Sequence, residues 1–181
     1  GGNSTEQNPS HTYQRSGKYE VTLSINGGAF TAVKSDFVQV MPNLPTPFSA
    51  ADGGDFESNA DYFGSDDLTG GINLWERGTP TNAITNVNSG TNVWKTDLDG
   101  DLIQTDYSCA LFSPNFNMSA AGAYTLSFRK SMERQFTNAP FGVQVQYSLD
   151  NGDNWTRLGT DNDSNGSNWY EYGTDPASVD A

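Results

Sequence analysis

The sequence predicts an all-β chain, a partial sandwich unit followed by a larger β-sandwich, and three observations carry that expectation. Apolar residues fall on every second position in several short runs, the period of a strand buried on one face. The composition leans away from helix, with 19 Gly, 8 Pro and 12% aromatic residues in 181 and many Asn, Ser and Thr besides. Clusters of Gly, Asn, Asp and Pro separate the apolar runs as turns separate strands.

The first element is the alternation Tyr19, Val21, Leu23, Ile25. Asn26-Gly27-Gly28 supplies residues that tolerate positive φ, and Phe30, Ala32 and Val40 return as a partner, so 19–40 reads as a β-hairpin. A hairpin lacks a second apolar face to pack against, whereas an immunoglobulin-like sandwich needs about 7 strands and about 100 residues. Residues 1–41 are therefore expected to be the last part of a unit whose first strands are missing. The stretch MPNLPTPFSAADGG has three prolines, a Gly pair and no alternation, which places a linker at 42–54. From 55 to 181 the chain reads as one β unit: DFES (55–58), NLWERG (73–78), NVWKTDL (92–98), CALFSPNF (109–116), YTLSFRKSM (124–132) and FGVQVQYSL (141–149) are strands or strand ends. Past Leu158 loop chemistry prevails and no closing strand is evident, so this unit too is expected to lack its last strands.

Nine Lys and Arg against 22 Asp and Glu give a net charge of −13. Nucleic acid and anionic membranes are set aside as partners, since phosphate binding draws its affinity from clustered cations. An acidic, Asn/Asp-rich surface suits divalent cations, which prefer oxygen ligands. The single cysteine, Cys109, excludes an intramolecular disulfide and reads as a small core residue of a strand. No run approaches the ~20 apolar residues of a membrane span, so no membrane insertion is expected. No targeting segment is read at Gly1, an absence that does not argue for the cytoplasm.

Two loops carry calcium-like spacing. Asp97, Asp99 and Asp101 alternate beside Gly100, as at the start of an EF-hand loop, but position six is Leu102 and position twelve Ser108. Asp161, Asp163 and Asn165 with Gly166 fit the first half better, and Glu171 comes one residue early for the twelfth ligand. Each loop reads as a cation site or as a solvated acidic turn. Asp55 and Glu57, two apart in an expected strand, share a face around a buried Phe56. Ser148, Asp150, Gly152 and Trp155 match the Asp-box of sialidases; in a single copy the motif reads as a hairpin turn in which Asp150 binds backbone amides, Gly152 takes positive φ and Trp155 packs below. The one histidine, His11, stands near Tyr13 and reads as a packing residue, so nucleophile systems that need histidine cannot be assembled in the main unit. Trp169 and Tyr170, in a loop, are the best candidates for stacking on a sugar ring.

Residues 8–41, with their N-P-S-H-T-Y opening, Gly17, the Y-x-V-x-L-x-I strand and F-V-Q-V before a proline, resemble the last third of a PKD domain, an immunoglobulin-like spacer of secreted and cell-surface proteins. Residues 48–159 resemble a MAM-like jelly-roll domain of proteins exported by Bacteroidetes. The carrying motifs are D-F-E (55–57), L-W-E-R-G (74–78), G-T-N-V-W-K-T-D-L-D-G (90–100), L-F-S-P-N-F (111–116), L-S-F (126–128) and V-Q-Y-S-L-D-N-G-D-N-W (145–155). The likeness implies export, by type IX secretion, and Glu57, with Asp55 beside it, on a structural cation, the alternative for these two being surface carboxylates of a first strand. It leads to the expectation of a non-catalytic segment of a secreted or cell-surface adhesin, stabilised by calcium, with neighbouring domains of the same chain and an extracellular surface, glycan or protein ligand as partners. The alternatives are an accessory module of a secreted peptidase or glycoside hydrolase, and a glycan-binding module.

Overall fold

The computed structural model describes residues 2–57, 62–69, 71–100, 108–131, 143–160, 163, 164 and 166. The chain is all-β: the described residues form ten strands and two three-residue 3-10 turns, and their mainly antiparallel pairing is consistent with a β-sandwich. It divides into two compact units, Gly1–Ser131 and Met132–Ala181.

In the first unit, β1 (Gly17–Ile25) and β2 (Phe30–Val40) form the expected antiparallel hairpin, closed by a 3-10 turn at Asn26–Gly28. Positive φ at Asn26 (53°), Gly27 (64°) and Gly28 (95°) reverses the chain within four residues. Near its open end the register shifts: Tyr19 faces Val38 but Val21 faces Lys34, a bulge that adds twist. The apolar face read as buried is in fact open to solvent, with Leu23 at 64% and Phe30 at 64% exposure. Alternation fixed which residues share that face, but two strands alone provide nothing to cover it.

β3 (Asn43–Pro45) pairs in parallel with β8 (Asn115–Asn117), β4 (Gly64–Asp67) antiparallel with β7 (Cys109–Phe112), and β5 (Trp75–Gly78) antiparallel with β6 (Val93–Thr96). The expected linker at 42–54 thus carries a strand and a 3-10 turn, Ala50–Asp52, whose capping box joins Ser49 to Asp52. The run CALFSPNF is two strands rather than one. Its break is Pro114, which is fully buried and has no N–H for a ladder. Apolar packing centres on Leu74, 8% exposed, and on the rings of Phe48, Phe56, Phe63 and Phe116, whose centroids lie 5.1 to 6.3 Å apart in successive pairs.

Two further expectations are corrected. Residues 55–57 are a bend, not a strand: Phe56 has φ 64°, and the Glu57 N–H donates to Asp55 Oδ1 at 3.2 Å, a local Asx bond that competes with a ladder. Hence Asp55 and Glu57 do not share a strand face. Residues 124–131 form no strand among the described residues, and Leu126 (53%) and Phe128 (50%) stand exposed.

In the second unit, the run read at 141–149 carries β9 (Gln146–Tyr147) among the described residues, paired antiparallel with β10 (Thr156–Arg157), while 141 and 142 lie outside them.

Candidate functional site

The best-defined polar surface of the first unit is built around the β5–β6 ladder, where carboxylates hold loops by their backbone amides. Glu57 leaves the bend at Phe56 and reaches the loop before β6. Its Oε1 accepts the N–H groups of Thr91 (2.8 Å) and Asn92 (2.7 Å), and its Oε2 accepts the Thr91 hydroxyl (3.0 Å) and the Asn92 side-chain amide (2.9 Å). Four donors fill the four lone-pair directions of one carboxylate. The Asn92 and Thr91 amides, in that order, hold the Glu57 pKa below its ordinary value. The loop can approach because Gly90, at φ 63°, has no side chain where the carboxylate lies.

A second carboxylate, Glu76 on β5, accepts the Leu98 N–H (2.9 Å). Asp97, at φ 61°, donates its N–H to the Leu74 carbonyl (2.9 Å), and its Oδ1 accepts the Gly100 N–H (2.8 Å). The Lys95 ammonium donates to the Asp97 carbonyl, and the Thr81 N–H donates to that of Leu98 (2.9 Å). Between these segments lies an open hollow of about 470 Å³, lined by Glu76, Arg77, Thr79, Thr81, Leu98 and Asp99. Arg77 also donates from Nη1 to the Phe56 carbonyl (2.5 Å), so one guanidinium ties the hollow to the Asp55–Glu57 bend. Across the ladder from Arg77, the Trp94 indole N–H is buried without an acceptor.

The expected metal ligands divide accordingly. Asp97 and Asp99 share the loop that borders the hollow. Among the described residues, Asp97 Oδ2 and the Asp99 carboxylate accept no hydrogen bond. Asp55, half-buried, takes the Glu57 N–H. Asp163 closes a turn, its N–H on the Thr160 carbonyl (3.3 Å) and its carbonyl on the Gly166 N–H (3.1 Å). Asp101, Asp161, Asn165, Trp169 and Tyr170 lie outside the described residues. Among the described residues no three His, Cys, Asp or Glu side chains come together as a metal-binding group. Sequence reading missed Glu76, Gly90, Thr91 and Asn92; their only signal was a Gly-Thr-Asn turn before a strand.

The second unit carries the Asp-box turn as the spacing predicts. Asp150 accepts the Asn154 N–H (2.9 Å), the Asn154 side-chain amide (2.6 Å) and the Ser148 hydroxyl (2.7 Å). Those partners, Asn154 first, hold its pKa down at about 2. Gly152 takes φ 97° with the Trp155 ring alongside, and its N–H donates to Ser148 Oγ (2.8 Å). The motif is a local fastener between β9 and β10.

Elsewhere, His11 packs edge-on against Tyr13 (centroids 4.7 Å apart). Cys109 is half-buried on β7, and burial pushes its thiol pKa up. No helix among the described residues is long and apolar enough to cross a membrane. No family model matches the chain, and no curated protein or solved structure matches it either; the PKD and MAM-like likenesses rest on their motifs.

Proposed function

We propose that the chain is a non-catalytic β module of an exported bacterial surface protein, of adhesin type. The observation that supports this reading is how its acidic side chains are used. Asp52, Glu57, Asp67, Glu76, Asp97 and Asp150 each accept a backbone N–H, Glu57 and Glu76 from a segment distant in the chain and the other four from within their own turns. Carboxylates committed to turn amides in this way fix a scaffold, whereas general acid–base chemistry needs a carboxyl free to exchange a proton with substrate. Calcium belongs to the proposal at Asp97 and Asp99, where hard oxygen donors remain free, with Asp101 next in the loop. It does not fit Glu57, whose lone pairs are taken. Bound there, calcium would supply a hard dication that offsets the repulsion between neighbouring carboxylates.

The test is a calorimetric melt of the full chain in calcium and in excess chelator. A cation held at one hundred times its dissociation constant stabilises by about 2.7 kcal/mol. An unchanged melt in chelator removes calcium from the reading, and turnover of any peptide or glycan by the purified chain removes the non-catalytic assignment.

A second reading, a glycan-binding module, is favoured by the hollow itself. Thr79, Thr81, Glu76 and Asp99 present oxygens, Arg77 presents N–H donors, and Leu98 adds one apolar patch, a mix suited to sugar hydroxyls. Titration with a glycan panel distinguishes it: saturable heat that Thr81→Ala abolishes supports glycan binding, and no heat with any glycan refutes it.

A further inference from the structure

We infer that Asn26 is a spontaneous modification site, at which this chain converts asparagine to aspartyl and isoaspartyl. The chemistry is intramolecular. The backbone nitrogen of the following residue loses its proton and bonds to the side-chain carbonyl carbon; the C–N bond to the side-chain amide breaks and ammonia leaves. Water then opens the cyclic imide at either carbonyl. Glycine next in sequence leaves the attacking nitrogen unhindered. A hydrogen bond from that nitrogen to an acceptor opposes the reaction, because the N–H must be released and the segment must swing.

The chain holds five Asn-Gly or Asp-Gly bonds, at Asn26, Asp52, Asp99, Asn151 and Asn165. In the last four the glycine N–H is engaged. Gly53 donates to the Ala50 carbonyl (3.1 Å) and Gly166 to the Asp163 carbonyl (3.1 Å). Gly100 donates to Asp97 Oδ1 (2.8 Å) and Gly152 to Ser148 Oγ (2.8 Å). Gly27 differs. Its turn is closed by the Ala29 N–H on the Asn26 carbonyl (3.3 Å), and among the described residues no acceptor meets the Gly27 N–H. Both residues are exposed, and a probe carbon on Gly27 or Gly28 meets nothing within 4 Å. The Asn26 side-chain amide makes no hydrogen bond among the described residues. Identical dipeptides therefore differ in reactivity through structure alone: Asn151 is locked by the Asp-box, and Asn26 stands free at a hairpin tip. Conversion places a negative charge there, and the isoaspartyl form adds a carbon to the turn that sets Ile25 opposite Phe30.

The experiment incubates the full chain in mildly alkaline buffer, then maps tryptic peptides by mass and by enzymatic isoaspartyl methylation. A gain of about 1 Da, as an amide becomes an acid, should appear first in the Tyr19–Lys34 peptide, and Asn26→Gln should abolish it. Ser148→Ala, which frees the Gly152 N–H, should raise conversion at Asn151 by about fivefold, the worth of one ordinary hydrogen bond. In strong urea the three Asn-Gly bonds should converge to similar rates. Conversion at Asn151 or Asn165 as fast as at Asn26 in the folded chain overturns the inference, as does persistence of the same ranking in urea.

Discussion

Replacing Gly90 by alanine tests the carboxylate-held loop at its tightest point. A Cβ there would lie 2.3 Å from Glu57 Oε1 and 2.6 Å from its Cδ, and the backbone sits at φ 63°. Alanine must therefore hold a left-handed conformation, which by itself costs an L residue about 1–2 kcal/mol. It must also push the Glu57 carboxylate off the Thr91 and Asn92 amides, so the backbone cost is a floor. The first unit spans Gly1–Ser131, and at that size the floor corresponds to a fall in Tm of about 4 to 8 °C. Gly122 is the control, since a Cβ there meets nothing within 4 Å, and Gly122→Ala should melt as the parent does. Glu57→Gln added to Gly90→Ala should cost less than it does alone, because both disturb one contact. Thermal and urea melts of the four variants suffice. Gly90→Ala melting within about 1 °C of the parent would refute the reasoning, as would strict additivity with Glu57→Gln.

Two further outcomes follow from proton equilibria. Asp150 is held at about 2 against an ordinary 3.8, so its contribution is complete above pH 3.8 and is lost as pH falls towards 2. The Trp155 indole resonance should accordingly stay constant down to about pH 3 and move below it, with Asp150→Asn removing that dependence; a midpoint near the ordinary value contradicts the hydrogen-bond assignment. Burial raises the Cys109 thiol pKa, so alkylation at mildly alkaline pH should run slower in the folded chain than in urea, and equal rates would show the thiol to be freely accessible.

Much of this architecture was legible where the determinants are local. The 19–40 hairpin follows from strict alternation on both sides of Asn-Gly-Gly, and the Asp-box turn from spacing that fixes its own hydrogen bonds. The strands Trp75–Gly78 and Val93–Thr96 announced themselves through aromatic and β-branched residues between Gly and Asn. What failed was decided elsewhere in the chain. Asp55 captures the Glu57 N–H and turns an apparent strand into a bend. The three residues Asn43–Pro45 are too few to show a period, and their partner lies some 70 residues away. In the site, Asp97 and Asp99 were visible as an acidic loop, but Glu57 as a loop anchor and Glu76 as its counterpart depend on amides 22 to 35 residues away.

The short parallel ladder has a kinetic meaning. β3 meets β8 over three residues, and the Thr46 hydroxyl adds one bond to the Asn117 carbonyl, 71 positions along the chain. Bringing such distant segments together from a flexible chain costs about 4 kcal/mol in closure entropy before any constant is added, more than three residues of ladder return. The clasp therefore forms after β4–β7 and β5–β6 have drawn the intervening chain together, and it is the first part to open. The unit is a purse whose drawstring is tied last.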